Sequence, residues 1–232
     1  MENKESRCES CIVRQLNALD VLSKSDLKKL SDNKEVHTFR KGQSIFDEGE
    51  HLKGVFCVRS GVSKLSKMSP KGKDHVVKLA KRGEVLGQRS VITDERTNLS
   101  AVAVNDMEVC FIPKRHILSS IDTNIEFTKK ILIRIANDLK FADDSMVDLA
   151  QKTISQRLSH TLIYLEENFG VTQEGAIGLQ LSREDLANII GSAKEACIRT
   201  LATFKKNGWI ETQGKSIIIT NKKALLQDSE CF

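Results

Sequence analysis

The 232-residue chain contains six cysteines, the side chains in it best suited to redox or metal chemistry. Cys8 and Cys11 form a C-x-x-C pair near the N-terminus, and Cys110 lies in an apolar run. Thiolates at this spacing bind metals or close a disulfide. The sequence has no second pair of this kind and its five histidines show no ligand spacing, which disfavours zinc. The alternative is that Cys110, like Cys57 and Cys197, packs as a small apolar side chain.

A second group of side chains could form specific hydrogen bonds with nucleic-acid bases. It occupies one face of a predicted helix at its N-terminal end and comprises Lys194, Glu195, Ile198 and Arg199. Arginine donates two hydrogen bonds to guanine, and glutamate accepts one from the cytosine amino group. The opposite face should pack inward, because it carries apolar residues spaced four and three apart, Cys197, Leu201 and Phe204. The alternative is a solvated helix face with no partner.

The elements around this helix predict a winged helix-turn-helix. Ser182 is expected to cap a short helix that ends at Gly191. Ser192 is expected to begin the second helix, with Glu195 completing an S-x-x-E capping box. Two short strands around Gln213–Lys215 then form a hairpin with which we expect the chain to end.

Basic side chains are concentrated in the same segment. Residues 183–223 contain eight basic and four acidic residues, whereas the whole chain carries a formal charge of +5. An excess of positive charge on a helix-turn-helix favours contact with phosphates. We therefore expect double-stranded DNA as a partner and add Ser182, Ser192 and Lys215 to the candidate DNA-contacting residues.

The rest of the chain predicts an α+β protein. Short glycine-punctuated apolar segments from Val36 to Pro113 predict an antiparallel β-roll. The apolar residues that follow alternate three and four apart, as in a coiled coil, and are Leu132, Ile135, Leu139, Ala142, Met146 and Leu149. We expect this seam to join two copies in a homodimer even without a cofactor; the alternative is packing against the chain's own strands. The predicted division is a β-roll sensor domain with the cysteine-containing segment at 1–118, a dimerisation helix at 119–151 and a winged helix-turn-helix at 152–232.

Composition restricts the class of protein. With 40% apolar and 29% charged residues the chain should fold, and no apolar stretch approaches a membrane span. The N-terminal residues lack the apolar core of a secretory signal, so we expect a cytoplasmic protein with reduced thiols. No nucleophile–base pair, phosphate loop or cluster of histidine and carboxylate ligands is visible, which argues against an enzyme. A cupin-like enzyme is the weaker alternative.

The motifs together resemble the CRP/FNR family of bacterial transcription regulators over nearly the whole chain. They are Lys41-Gly42-Gln43, Val58-Arg59-Ser60-Gly61, Gly83-Glu84-Val85-Leu86-Gly87, the segment from Leu181 to Gly191, and Lys194-Glu195-x-x-x-Arg199. The resemblance implies a homodimer that binds a palindromic operator and contacts RNA polymerase. It also implies that Glu195 and Arg199 recognise a G·C-containing core in each half-site.

The cyclic-nucleotide branch of this family holds its ligand with a Gly-Glu pair and an Arg-Ser pair. Here Gly87-Gln88 stands at the first pair and Thr97-Asn98 at the second, with Arg96 displaced by one residue. A cyclic phosphate without its guanidinium loses a charge-assisted bidentate contact, so we do not expect cyclic AMP to bind. The altered pocket, Gly87, Gln88, Arg89, Arg96, Thr97 and Asn98, leaves open an unidentified small-molecule effector.

The oxygen-sensing branch binds an iron–sulfur cluster through four cysteines. Cys8, Cys11 and Cys110 resemble three of them, whereas Asn17 stands where the remaining one is expected. Cys57 is a possible substitute, although its apolar strand favours simple packing. Three interpretations stay open: a [4Fe–4S] cluster, a thiol/disulfide switch of Cys8 and Cys11, and no redox chemistry.

Overall fold

The computed structural model describes residues 7–70 and 72–230. The N-terminal residues 1–6, for which we expect no secretory signal, and Cys231 lie outside the described residues. The chain divides into two compact units. The first combines the chain up to Ser69 with Val77–Leu139, and the second combines Pro70–Val76 with the chain from Lys140 onward.

The first unit is built on two four-stranded sheets, which confirms the predicted antiparallel β-roll. One sheet has the order β1-β8-β3-β6 and the other β2-β7-β4-β5. Neighbours β1–β8, β8–β3, β3–β6, β2–β7 and β7–β4 run antiparallel. The strands are β1 Glu35–Phe39, β2 Ser44–Phe46, β3 Gly54–Ser60, β4 Ser63–Met68, β5 Asp74–Ala80, β6 Val85–Leu86, β7 Ser100–Ala103 and β8 Met107–Pro113.

Glycine and alternating apolar residues explain why this segment forms strands. β8 buries Met107, Val109 and Ile112, and Cys110 between the last two is buried as well. Gly61 between β3 and β4 has φ +81°, where a side chain is strained. The buried side chains of the strands thus face an apolar core, and the glycine allows a tight turn between two of these short strands.

Helices precede and follow the β-roll in the chain, and one short helix lies within it between β6 and β7. Three short 3₁₀ helices precede it, at Cys8–Ser10, Ile12–Leu16 and Ala18–Val21. The α-helices of this part are α1 Lys24–Asn33, α2 Gln88–Thr93, α3 Lys114–Thr123 and α4 Ile125–Gln151. The long predicted helix is thus α4, and Asn124 separates it from α3 by accepting a hydrogen bond from the Phe127 N–H at 3.0 Å.

The second unit contains the predicted helix-turn-helix followed by a hairpin. Its elements are α5 Ile154–Phe169, α6 Arg183–Ile189, α7 Lys194–Lys206, β9 Ile210–Gln213, β10 Ser216–Ile219 and α8 Lys222–Glu230. Within the described ranges, no helix is long and apolar enough to cross a membrane.

The expectation that the chain ends in the hairpin was wrong, because α8 follows it. The Asp228 carboxylate accepts hydrogen bonds from Ser155 Oγ at 2.9 Å and from Ser159 Oγ at 2.7 Å. Leu225 is fully buried. These contacts with α5 are long-range, and tertiary packing rather than local pattern stabilises such a short helix.

Candidate nucleic-acid interface and sensor residues

The two faces of α7 are arranged as the sequence predicted. Cys197, Leu201 and Phe204 are 0%, 4% and 1% exposed, so they anchor the helix in the second unit. Lys194, Glu195, Ile198 and Arg199 are all exposed on the other side of the helix. Three polar groups able to bond bases or phosphates therefore lie together on one solvent-facing surface, which we call the α7 face.

The turn before α7 differs from the prediction in its capping residue. Ser182 caps α6 as expected, since its hydroxyl accepts a hydrogen bond from the Asp185 N–H at 2.9 Å. Ser192, however, does not cap α7, whose N-cap is Ala193. The Ser192 N–H instead donates to the Ala187 carbonyl at 2.9 Å, closing α6 in a Schellman-type turn.

Ser192 is consequently turned away from the α7 face. The residue is only 6% exposed, and its hydroxyl donates to the Ala193 carbonyl at 3.2 Å. Gly191 supplies the left-handed conformation of this turn, with φ +63°. Of the two predicted capping serines, only Ser182 has the predicted capping contact.

Polar contacts from α6 and from the segment just before it hold the hairpin, and local sequence patterns do not predict them. Arg183 Nη2 donates to the Gly214 carbonyl at 2.9 Å, and Gln180 Nε2 donates to Ser216 Oγ at 3.1 Å. Gly214 has φ +58°, as the predicted turn requires. Lys215 is exposed at the turn. The sequence identifies Arg183 only as a basic residue, because no local pattern predicts its contact with the turn.

The Arg183→Ala substitution is expected to loosen this hairpin. A hydrogen bond from a charged group contributes about 1.5–3 kcal/mol, and the half-buried guanidinium makes the lower end appropriate. Thermal unfolding should show a lower midpoint for Arg183→Ala than for Arg40→Ala, which removes an exposed arginine of the first unit. Equal midpoints for the two variants would show that the contact with Gly214 does not stabilise the turn.

The predicted seam residues are exposed along α4. Leu132, Leu139 and Met146 are 60%, 62% and 65% exposed, and Ala142 is also exposed. Ile135 and Leu149 are 37% and 39% exposed. Three more apolar residues that the heptad pattern missed, Ile133, Phe141 and Val147, are also exposed. The helix therefore presents a broad apolar stripe.

The first part of the predicted ligand pocket forms the turn into α2. Gly87 adopts φ +79°, and a Cβ there would lie 2.5 Å from Leu52 Cδ1. The guanidinium of Arg89 donates to the Asn98 side-chain oxygen. Residues 87–89 and 96–98, which the sequence predicts to line one pocket, are thus in contact.

The second part of the pocket is engaged in internal hydrogen bonds. Arg96 Nη1 donates to the Gly49 carbonyl at 2.8 Å. The Thr97 hydroxyl donates to the Asp47 carbonyl at 2.7 Å, and the residue is 5% exposed. Both side chains would have to exchange these bonds before they could hold a cyclic phosphate.

Ion pairs link the cleft beside Gln88 to α4. Gln88, Glu84 and Arg134 line a cleft of about 330 Å³ in the first unit. Glu84 pairs with Arg134, and Lys78 Nζ lies 2.7 Å from the Asp138 carboxylate. Burial lowers the pKa of Arg134, but the hydrogen bonds and negative charges of Glu84 and Asp138 together outweigh burial, and the net shift is upward. The guanidinium therefore stays charged against Glu84.

The N-terminal cysteines lie on a tight turn fixed to α1. The Cys11 N–H donates to the Cys8 carbonyl at 3.3 Å, and the Cys8 N–H donates to Ser31 Oγ at 2.7 Å. The Ser31 hydroxyl donates in turn to the Glu9 carboxylate, and with a backbone hydrogen bond and Arg7 it lowers the pKa of Glu9 to about 2. Cα atoms across such a turn lie within about 7 Å, a separation that also permits a disulfide.

Cys57 and Cys110 lie directly opposite each other on β3 and β8. Each is 5% exposed. Burial raises the pKa of both thiols, for Cys57 to about 12, with the neighbouring thiols adding to the effect. Buried protonated thiols of this kind are poor nucleophiles for disulfide exchange.

The structure brings the three predicted cluster cysteines into one region. Cys8 and Cys110 belong to the core of the first unit, and Cys11 packs against it. In the part of the chain that the structure describes, no three histidine, cysteine or carboxylate groups are placed to hold one metal ion. Iron–sulfur clusters are bound by cysteine thiolates, so these three residues have the right chemistry for a cluster. A [4Fe–4S] cluster needs a fourth donor in addition.

Comparison with known proteins places these features in one family. Residues 36–124 match the cyclic nucleotide-binding domain, and residues 156–227 match the Crp-like helix-turn-helix domain. The chain is 24% identical over 189 residues to the CRP-like cAMP-activated global transcriptional regulator of Mycobacterium tuberculosis (81% of this chain, 84% of the relative). It is 26% identical over 226 residues to the fumarate and nitrate reduction regulatory protein of Escherichia coli K12 (95% and 89%).

A solved structure shows the same fold. FixK2 from Bradyrhizobium japonicum matches with a TM-score of 0.77 at 22% identity, over 86% of this chain and 98% of FixK2. The cyclic nucleotide-binding match precedes the helix-turn-helix match, α4 lies between the two, and together the two matches cover more than half of the chain. This chain belongs to the CRP/FNR family of DNA-binding transcription regulators.

Proposed function

We propose that the chain acts as a homodimeric, sequence-specific transcription regulator that binds a palindromic operator through the α7 face. The observation that carries the proposal is the exposure of Lys194, Glu195 and Arg199 on a helix whose other side is buried. Arginine and glutamate at the N-terminal end of a recognition helix can discriminate G·C pairs. Double-stranded DNA is thus the partner, in the cytoplasm, and RNA polymerase is a second partner by family resemblance.

The apolar stripe of α4 supports the homodimer. Residues such as Leu139 and Met146 would remain in water in a single copy, at a cost of roughly 1.5–3 kcal/mol for each large side chain. A second copy of the same helix satisfies the three-four spacing of the seam. The proposed domain division stays at 1–118, 119–151 and 152–232. Within the middle range, α4 at Ile125–Gln151 is the dimerisation helix, and the residues before it include the end of α3.

We propose further that the regulator responds to redox state or oxygen through a cluster held by Cys8, Cys11 and Cys110. A bound iron–sulfur cluster would supply a group that oxidants degrade or convert. The chain's own contribution is to hold the three thiols together, Cys8 through the hydrogen bond from its N–H to Ser31. Cyclic AMP is not part of this proposal, because Arg96 and Thr97 are bonded within the chain.

A disulfide between Cys8 and Cys11 is the second candidate signal. The 3.3 Å hydrogen bond across their turn keeps the two backbones close enough to be bridged. The two candidates differ in iron content, since the disulfide needs none. Iron analysis of protein prepared without oxygen, followed by thiol counting after exposure to air, distinguishes them.

The Lys215→Ala substitution tests phosphate contact by the hairpin. Lys215 is exposed at the turn and should neutralise one phosphate in each half-site. We expect weaker binding to all DNA sequences and a salt slope, log affinity against log salt, smaller by about one per lysine and about two per dimer. Fluorescence anisotropy titrations of labelled DNA at about 50 to 200 mM salt measure this slope, because phosphate contacts change the affinity steeply in that range.

The matched control is Lys24→Ala, an exposed lysine of the first unit. It should leave the salt slope unchanged. If Lys215→Ala had the same slope as the control, the hairpin turn would not contact the DNA backbone.

A further inference from the structure

Four of the six cysteines converge in the first unit, one more than the redox proposal uses. Cys57 and Cys110 are a cross-strand pair, so their Cβ atoms are about 4.5–5.5 Å apart on the same face of the sheet. Cys8, Cys57 and Cys110 belong to one buried cluster of side chains, against which Cys11 packs. The β3 thiol is thus placed among the three cysteines already discussed.

Electrostatics agrees with this placement. After burial, the largest contributions to the raised pKa of Cys57 come from Cys110, Cys11 and Cys8, in that order. Cys8 and Cys11 likewise contribute to raising the pKa of Cys110. Cys197 in the second unit, whose pKa burial raises to about 11, has no cysteine among its influences. The four thiols of the first unit are therefore within electrostatic range of one another.

Asn17 connects Cys57 with the position where the sequence lacks a cysteine. Its amide Nδ2 donates to Cys57 Sγ at 3.4 Å and to the Gly83 carbonyl at 3.2 Å. Its Oδ1 accepts from the Leu19 N–H at 3.0 Å and caps a 3₁₀ helix. Both ends of the amide serve the local fold, so Asn17 is poorly disposed to act as a ligand itself, whereas the sulfur beside it is a suitable donor.

We propose that Cys57 replaces the cysteine missing at Asn17 and completes a four-thiolate [4Fe–4S] site with Cys8, Cys11 and Cys110. This inference rests on the proposed redox response. Each thiol would lose its proton on binding iron, and binding involves no change in the oxidation state of sulfur. The four iron corners of a [4Fe–4S] cubane each accept one thiolate, so the cysteine sulfurs need not meet at one point as they would around a single ion.

The test is anaerobic reconstitution of the full chain with ferrous iron and sulfide, comparing Cys57→Ala with Cys197→Ala. Both substitutions remove one buried thiol, but only the first removes a proposed ligand. The wild type and Cys197→Ala should bind about four iron and four sulfide per chain and show broad visible absorption. Cys57→Ala should bind at least about fourfold less iron.

A rescue variant separates ligand loss from a change in packing. Adding Asn17→Cys to Cys57→Ala places a thiol beside the vacated sulfur position and should restore iron, sulfide and visible absorption. If Cys57→Ala loses its folded circular dichroism spectrum, Cys57→Ser decides instead. Its dithionite-reduced cluster should give an electron paramagnetic resonance signal with altered g values, and that of Cys197→Ser should match the wild type.

The remaining outcomes separate the role of Cys57 from the presence of a cluster. Full iron loading of Cys57→Ala, or unchanged g values in Cys57→Ser, overturns the role of Cys57 and leaves the redox proposal standing on the other three cysteines. A Cys57–Cys110 disulfide in the iron-loaded protein overturns it as well. A wild type that binds no iron overturns both this inference and the cluster, without affecting DNA binding by the α7 face.

Discussion

The Arg199→Ala substitution is expected to lower affinity for the operator by roughly 30-fold to 10⁴-fold. A bidentate contact with guanine contributes about 1–3 kcal/mol of discrimination, and a dimer on a palindrome makes that contact twice. Arg199 is exposed one turn into α7, where a recognition helix meets base edges. Affinity for unrelated DNA should fall much less, since only one positive charge per half-site is lost.

Glu195→Ala should change the affinities for operator and unrelated DNA in a different way from Arg199→Ala. The exposed carboxylate repels phosphates, so its removal should leave affinity for unrelated DNA unchanged or higher. Affinity for the operator should fall, because the acceptor for the cytosine amino group is lost. The ratio of specific to nonspecific affinity therefore decreases in both variants, but through opposite changes in nonspecific binding.

Anisotropy titrations with operator and scrambled duplexes at one salt concentration measure both ratios. Arg40→Ala and Glu174→Ala remove exposed charges outside α7 and serve as controls. If the α7 variants lost the same factor on both duplexes, they would act through charge alone, and base recognition by α7 would be ruled out.

The second prediction with a large expected effect concerns the proposed homodimer. Leu139→Ala is expected to weaken the homodimer by roughly 10²-fold to 10⁴-fold, since each copy loses about 1.5–3 kcal/mol of apolar burial. Leu139 is 62% exposed in one chain, so a change in the folded monomer itself should be small. Sedimentation at micromolar concentration should show a dimer for the wild type, even free of iron, and a large monomer fraction for Leu139→Ala.

Leu226→Ala provides a matched control, because Leu226 is 38% exposed on α8 and lies outside the stripe. It should sediment like the wild type. A clean monomer for the iron-free wild type would contradict the dimer seam outright, and would mean that the exposed stripe of α4 has another partner.

Local patterns predicted the elements that depend on nearby residues. The Ser182 cap, the positive φ of Gly214 and the buried face of α7 follow from positions within a few residues of one another. The long helix was predictable for the same reason, since its spacing repeats over several turns. Local patterns of this kind suffice to predict the elements of the DNA-binding part of the molecule.

Features decided by tertiary contacts were missed. Ser192 has the capping pattern, but its N–H closes the preceding helix, so α7 begins later than the pattern indicates. α8 depends on Asp228 meeting serines of α5 about seventy residues earlier. The same holds for the cysteines of the first unit, since only the folded chain places Cys57 beside Cys110 and Asn17.

Selection of bound DNA from a random duplex pool tests the central claim most directly. The wild-type chain should enrich a palindrome with a G·C pair in each half-site, and Glu195→Ala or Arg199→Ala should relax the preference at that pair. Enrichment of no sequence, or of the same palindrome by all three proteins, would contradict the assignment of α7 as the recognition helix.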